Sequence, residues 1–554
     1  MQKLYTAEGH SLPENPWDAY PRPQLRRRDW LCLNGAWTLE FGNNRTEILV
    51  PFCPESLLSG VRQAPQIGAE MLYRRHFAVP GSWLGRRILL HFGAVMRDAT
   101  VLVNGQMLCR HENGYLPFSV DITDALLPGQ NELCVRTRND LDRRFPWGKQ
   151  SVKRGGMWYT PCSGIWQTVW LEPVPETYIR SLGIVCGADW VEIAADGISD
   201  GIITLDGREY SLSNGKVKIS LSDPRLWSPE DPYLYSFTVS SGEDRVESYF
   251  ALRTLSTETL HGIPRLCLNG KPYFFHGLLD QGYWSDGLYT PAVPQAFEKD
   301  ILAMKSLGFN TLRKHIKLEP ERFYYDCDRL GMIVFQDMVN NGEYRYFRDT
   351  VLPTIHIKKR SDRRLNPDAE TRRIFLDAME KTVRLLKNHP CICLWTVFNE
   401  GWGQFCADDA YRKLKAVDDS RFVDSTSGWF HQSRSDVDSL HIYFGKLRLG
   451  KQRLPQLLSE FGGFVWKLSD HSFNTEKTYG YRIYKTQRDF INGLQQLYGS
   501  LIPLAEQGLC GAIYTQVSDV EDETNGLFTF DRAVLKVSPE ELKAFAGQLQ
   551  AAVR

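Results

Sequence analysis

The sequence predicts a multidomain chain, an N-terminal β-sandwich and a second, immunoglobulin-like β-sandwich followed by a C-terminal (β/α)8 barrel. Three observations lead there. Before about residue 256 the chain reads as short strands divided by turns; after it, strands alternate with helical stretches; and two of the later apolar strands end abruptly in glutamate. At 554 residues the chain exceeds what one hydrophobic core supports, so a division into about three or four domains is expected.

The first segment, residues 1–175, contains WTLEFG, YRRHFAV, RRILLHFG, TVLVNGQ, ELCVRTRND and IWQTVWLEPV, with Asn34-Gly35 and Asn104-Gly105 as hairpin-grade turns. A second β-rich segment, 176–255, has the size of a small immunoglobulin-like sandwich. From 256 to 554 eight strands are expected, at 273–279, 311–315, 332–338, 391–398, 421–426, 439–444, 456–460 and 511–519. The clearest helix is DAETRRIFLDAMEKTVRLLKN, where Phe375, Met379, Val383 and Leu386 recur at helical spacing behind an Asn366-Pro367 start signal. Continuous apolar runs suit the doubly buried parallel strands of a closed barrel, whose chemistry lies at the C-terminal strand ends.

Composition excludes several classes of partner. Sixty-six basic residues balance sixty-six acidic ones, so no global field points to nucleic acid or an anionic membrane surface. No uninterrupted apolar run is long enough to span a bilayer, and the first residues carry no apolar stretch of signal-peptide length. Twelve scattered cysteines include no C-x-x-C pair, which favours free thiols and a cytoplasmic location.

The candidate chemistry sits in LWTVFNEGWGQF (394–405) and QLLSEFGGF (456–464), which deliver Glu400 and Glu460 at the ends of the fourth and seventh strands. Glutamate is seldom buried unpaired, and two apolar strands that each end in one give the pair a purpose. One protonated and one ionised carboxyl can cleave a glycosidic bond; about 5 to 5.5 Å between them gives double displacement with retention.

These motifs resemble glycoside hydrolase family 2, the family of β-galactosidases, β-glucuronidases and β-mannosidases. NHPCICLWTVFNE (388–400) resembles its acid/base signature and LLSEFGG (457–463) its nucleophile strand. LNGAW (33–37), VLVNGQ (101–106), FSVDIT (118–123) and SGIWQTVWLEPV (163–174) are similar to its N-terminal jelly-roll, DPRLWSPEDPYLY (223–235) to its middle sandwich and LNGKPYFFHG (268–277) to the start of its barrel. The resemblance implies Glu400 as general acid/base, Glu460 as nucleophile, Asn399 on the sugar 2-hydroxyl and Tyr443 as the group that orients Glu460. It implies a retaining exo-β-glycosidase with a carbohydrate as partner, acting on a β-galactoside or a β-uronide, with a β-mannosidase or a non-catalytic carbohydrate-binding protein as alternatives.

Where the family commonly shows R-x-x-H-Y-P, this chain reads RKHIKLEP. Were the strand to continue, Arg313, His315 and Lys317 would point one way and suit a uronate; otherwise Arg313 pairs with a catalytic carboxylate and the others face solvent. The N-x-K motif that reads uronate in family glucuronidases is not visible, NGLFTF (525–530) standing in its neighbourhood. Strand three ends in Gln336-Asp337-Met338, without the Glu and His that bind magnesium in some family β-galactosidases, so no metal or cofactor is expected. Asp280, Tyr283 and Trp284 after strand one, and Trp402 beyond Glu400, are further candidates to touch the sugar. The sandwiches offer surface for a homo-oligomer.

Overall fold

The computed structural model describes residues 1–354, 361–450 and 453–554. In the first sandwich a six-stranded antiparallel sheet, whose centre is Glu70–Ala78 against Gln130–Arg138, faces a four-stranded sheet built on Arg87–Phe92 and Val169–Val174. Alternation along these strands turns Leu39, Tyr73, Val101, Val135, Leu90 and Leu171 into one core. The second sandwich sets three strands (Ser181–Cys186, Trp190–Asp196, Lys216–Ser220) on four (Gly201–Leu205, Arg208–Leu212, Tyr235–Ser241, Asp244–Phe250). Ile193, Ile203, Phe237, Val239 and Phe250 fill it, and seven strands in two sheets match the immunoglobulin-like expectation.

All eight barrel strands are present: β1 (Phe275–Asp280), β2 (Thr311–Lys314), β3 (Ile333–Asp337), β4 (Ile392–Asn399), β5 (Phe422–Ser427), β6 (Asp438–Ile442), β7 (Gln456–Gly462) and β8 (Leu509–Thr515). They form one parallel sheet in the order β5-β4-β3-β2-β1-β8-β7-β6. Between β5 and β6 the described residues form no ladder. There the Asp436 N–H donates to the Val423 carbonyl (2.9 Å), the Asp436 carboxylate accepts from the Val423 N–H (2.9 Å), and Ser427 Oγ meets His441 Nε2 (3.0 Å).

Helices cover the outside after β1 (Gln295–Ser306), β2 (Glu321–Leu330), β3 (Ala369–Leu386), β4 (Ala407–Val417) and β7 (Gln487–Gly499). In the third, Phe375, Met379, Val383 and Leu386 are buried as the periodicity requires, and the Asp368 side chain caps the Thr371 N–H. Strict alternation of strand and helix fails on one side: among the described residues no helix follows β5 or β6. The connection 428–437 is shorter than the dozen or so residues a helical crossover needs.

One sequence expectation needs correction at β2. The strand ends at Lys314, and Ile316 turns into the left-handed region (φ 45°), so the alternation that would have aligned Arg313, His315 and Lys317 is broken. Lys317 instead lies in the core, where its ammonium donates to the carbonyls of Gly282 (2.6 Å) and Tyr289 (2.8 Å) and pairs with Glu319 (2.9 Å). Asp280 pairs with Lys314 at 2.6 Å. Tyr283 and Trp284 are core residues, the first against Tyr159 and Tyr289, the second under Arg532 and beside Phe297.

Candidate active site

The two strand-end glutamates meet at the C-terminal rim of the barrel through His441. In the β6–β7 ladder His441 pairs with Glu460, and the register shifts in β6 and β7 beside these residues re-aim them toward the barrel axis. His441 Nδ1 lies 2.7 Å from Glu400 Oε1 and 3.5 Å from Glu460 Oε2, and the three atoms all fall within 4.8 Å of one another. One oxygen of each carboxylate thus approaches within 4.8 Å of the other, nearer than the ~6.5–9.5 Å separation of an inverting pair.

β4 delivers Glu400 in a particular way. Its apolar residues, including Trp395, Val397 and Phe398, are buried, and the ladder stops at Asn399. Glu400 then takes a left-handed backbone (φ 51°), uncommon for a residue with a side chain, held by its N–H to the Ser427 carbonyl (2.9 Å) and its carbonyl from Trp429 Nε1 (3.0 Å). Gly462 and Gly463 after Glu460 are also left-handed (φ 81° and 68°), and a Cβ on either would stand 2.4 to 2.5 Å from the rings of Tyr514 and Tyr481. Only glycine lets those rings close on the end of β7.

Arg313, wholly buried, organises the floor. It donates to Asp337 (3.0 Å), Glu460 Oε1 (3.0 Å), the Ser459 carbonyl (3.0 Å) and Asn399 Oδ1 (2.8 Å). Of the two readings left open for the basic run, pairing of Arg313 with the carboxylate is what the structure contains, while His315 is buried against Asp337 (2.8 Å) and does not face solvent. Its contact with Arg313 fixes Asn399 Oδ1 as acceptor, leaving Nδ2 buried with no protein partner, a donor free for a ligand hydroxyl. Tyr443, just past β6, donates its hydroxyl to Glu460 Oε2 and meets Thr515 Oγ1 at 3.1 Å, with its ring stacked on Tyr481.

Electrostatics push the two glutamates apart. Burial, reinforced by the charge of Glu460, raises Glu400 above the usual carboxylate range even though His441 bonds to it. Burial would raise Glu460 too, but His441 and Arg313 outweigh it and hold that carboxyl well below its ordinary value. At neutral pH one group is suited to hold a proton and the other to carry charge.

Several site residues were not anticipated from sequence. His441 stands two before Tyr443, and the alternation of a strand would have put both on one face. The segment 147–160 of the first sandwich also reaches the rim, with no local signal in its sequence. Trp147 bonds to Asn340 and Gly342, Thr160 and Arg154 bond to Glu521, and Tyr159 donates to Glu523. The Trp158 ring lies 5.4 Å from that of Trp402 and 5.0 Å from that of Tyr344, and the three rings pack together. Glu400, His441 and Glu460 could also ligate a divalent ion, each offering one atom.

A parallel barrel with a buried, oppositely tuned carboxylate pair at its rim is the architecture of a glycoside hydrolase. Comparison with known proteins specifies the family. Three family models match in succession: the glycosyl hydrolase 2 galactose-binding domain-like model over residues 62–199, the glycosyl hydrolases family 2 model over 195–253, and the glycosyl hydrolases family 2 TIM barrel domain over 263–446. The chain belongs to glycoside hydrolase family 2. A β-galactosidase from Thermoanaerobacter pseudethanolicus is 24% identical over 70% of this chain and 53% of that protein. The β-glucuronidase of Felis catus is 26% identical over 69% and 65%. The chain thus spans about half to two thirds of the length of these relatives. Among solved structures, an uncultured Clostridium β-glucuronidase superposes with a TM-score of 0.76 at 18% identity, covering 95% of this chain and 99% of that one. A β-galacturonidase from Eisenbergiella tayi gives 0.68 at 19%, covering 95% and 98%.

Proposed function

We propose that the chain is a retaining exo-β-glycosidase that releases a terminal β-linked sugar of the galactoside or uronide class. Glu400 is the acid/base and Glu460 the nucleophile. The observation that carries this reading is the carboxylate pair itself, with oxygens within 4.8 Å and protonation pushed in opposite directions. Glu460 attacks the anomeric carbon while Glu400 gives its proton to the leaving oxygen. The resulting glycosyl ester on Glu460 is then opened by a water that Glu400, now ionised, deprotonates. Tyr443 and Arg313 hold Glu460 in line, Asn399 Nδ2 donates to the 2-hydroxyl, and Trp402 stacks against the sugar or its leaving group.

The relatives' names, β-galactosidase, β-glucuronidase and β-galacturonidase, support the substrate class. We place the enzyme in the cytoplasm, because all twelve cysteines are free, and no described helix is long and apolar enough to cross a membrane. The test is substitution: Glu460→Gln abolishes turnover of nitrophenyl β-glycosides, whereas Glu400→Gln slows them less when the leaving group is acidic. Unchanged turnover in the Glu460 variant would refute the reading.

A further inference from the structure

A cavity of about 270 Å³ lies at the opposite end of the barrel from Glu400, where strand Ser181–Cys186 of the second sandwich docks before β4 and β5. Asn388 makes that dock, accepting from the Ile184 N–H (3.0 Å) and donating to the Leu182 carbonyl (2.7 Å). Ile184, Val185, Leu255 and Val417 give the cavity an apolar side. The charged side chains that line it are Arg253, Lys387, Arg421, Asp418 and Asp419, three cations against two carboxylates.

Two guanidiniums meet in its wall. Arg253, 8% exposed, donates to the carbonyls of Pro390 (2.7 Å) and Ile392 (2.6 Å), and Arg421 donates to the same Ile392 carbonyl (3.2 Å). The charge of Arg421 is answered by Asp418 (3.4 Å), which Trp395 Nε1 (2.9 Å) and Ser420 Oγ (2.7 Å) also hold. The charge of Arg253 is not answered. Its bonds go to carbonyls alone, its Nη1 makes none, and among the described residues no carboxylate pairs with it or with the half-buried Lys387. The segments 355–360 and 451–452 contain no Asp or Glu that could do so. Burial, with Arg421 beside it, holds the Arg253 guanidinium below its usual range. Asp419 is exposed and makes no ion pair, which leaves it as the one carboxylate of the lining that competes for these cations.

We propose that this cavity is a binding site for a small organic phosphate monoester, with the phosphate between Arg253 and Lys387 and the organic body against the apolar side. Two uncommitted cations match a dianion better than a single carboxylate, and a guanidinium fork held in place by backbone carbonyls is pre-organised for phosphate oxygens. The volume is near the ~300 Å³ lower end of small-molecule sites, more than a bare phosphate fills. The site is remote from the carboxylate pair and does not depend on the glycosidase reading.

The experiment is calorimetric titration of the full chain with phenyl phosphate and with inorganic phosphate, in chloride buffer at constant ionic strength. One phenyl phosphate per chain is expected, bound about 10-fold more tightly than inorganic phosphate, competing with it and raising the melting temperature. Arg253→Gln and Lys387→Met should each weaken it by about 10-fold or more, whereas Asp419→Asn should strengthen it. Thermal melts confirm folding, and if Arg253→Gln fails to fold, Lys387→Met and Asp419→Asn still decide. Glu460→Gln should bind as the wild type does, which separates this cavity from the catalytic site. Binding of neither phosphate, binding that no folded cavity variant alters, or binding lost in Glu460→Gln would overturn the proposal. Inorganic phosphate bound as tightly as the ester would overturn the organic body and leave a free-ion site.

Discussion

The imidazole of His441 lies 2.7 Å from the Glu400 carboxylate, in the position where a proton held by one catalytic group is sensed by the other. His441 lowers both glutamates, Glu400 through the hydrogen bond and Glu460 through its charge. Replacing it with Phe removes both effects, so both carboxyls titrate at higher pH. The sign follows: the acidic limb of the kcat/KM profile reports ionisation of Glu460 and the basic limb loss of the Glu400 proton, so the whole bell moves toward alkaline pH. A basic limb displaced toward acid in His441→Phe would contradict the assignment.

Arg313 is buried among four polar partners, Asp337, Glu460, the Ser459 carbonyl and Asn399. Arg313→Met leaves Asp337 and Glu460 as uncompensated buried charges, an expected loss of about 3–5 kcal/mol of stability. Chemical denaturation of the variant checks this. A loss below about 1 kcal/mol would show that the ion pairs are solvated and not the frame of the site.

Tyr443→Phe keeps the stack on Tyr481 but removes the donor to Glu460. A hydrogen bond to a charged group contributes about 1.5–3 kcal/mol, so kcat should fall by about 10- to 100-fold with the melting temperature nearly unchanged. A fall in melting temperature without a fall in kcat would assign the hydroxyl to packing.

Metal chemistry gives a fourth check. The chemistry proposed here uses the Glu400–His441–Glu460 atoms for a proton, so EDTA should leave activity unaltered. Added Zn²⁺ should inhibit by occupying the same three ligands, and less so in His441→Phe. Loss of activity on chelation, restored by metal, would contradict this.

Much of the frame was legible in the sequence because it rests on periodicity. Eight apolar runs gave eight strands, and the spacing of Phe375, Met379, Val383 and Leu386 gave a buried helix face. The strand-end positions of Glu400 and Glu460 followed from the same runs. What periodicity could not convey was where a strand stops. β2 ends at Lys314, so Lys317, expected beside Arg313, belongs to the core with Glu319. The partner of Asp280 was hidden for a similar reason: Lys314 is its neighbour in the β1–β2 ladder, a pairing across strands that no local pattern encodes. The approach of Lys149, Trp158 and Tyr159 from another domain is a long-range contact of the same kind.

The most direct test of the central claim is capture of the covalent intermediate. A 2-deoxy-2-fluoro β-glycoside with an activated leaving group, matched to the preferred sugar, should inactivate the enzyme with time and leave one fluorosugar on the peptide that carries Glu460, as read by mass spectrometry. Label on a different residue, or turnover with inversion at the anomeric carbon by NMR, would contradict the assignment of Glu460 as nucleophile.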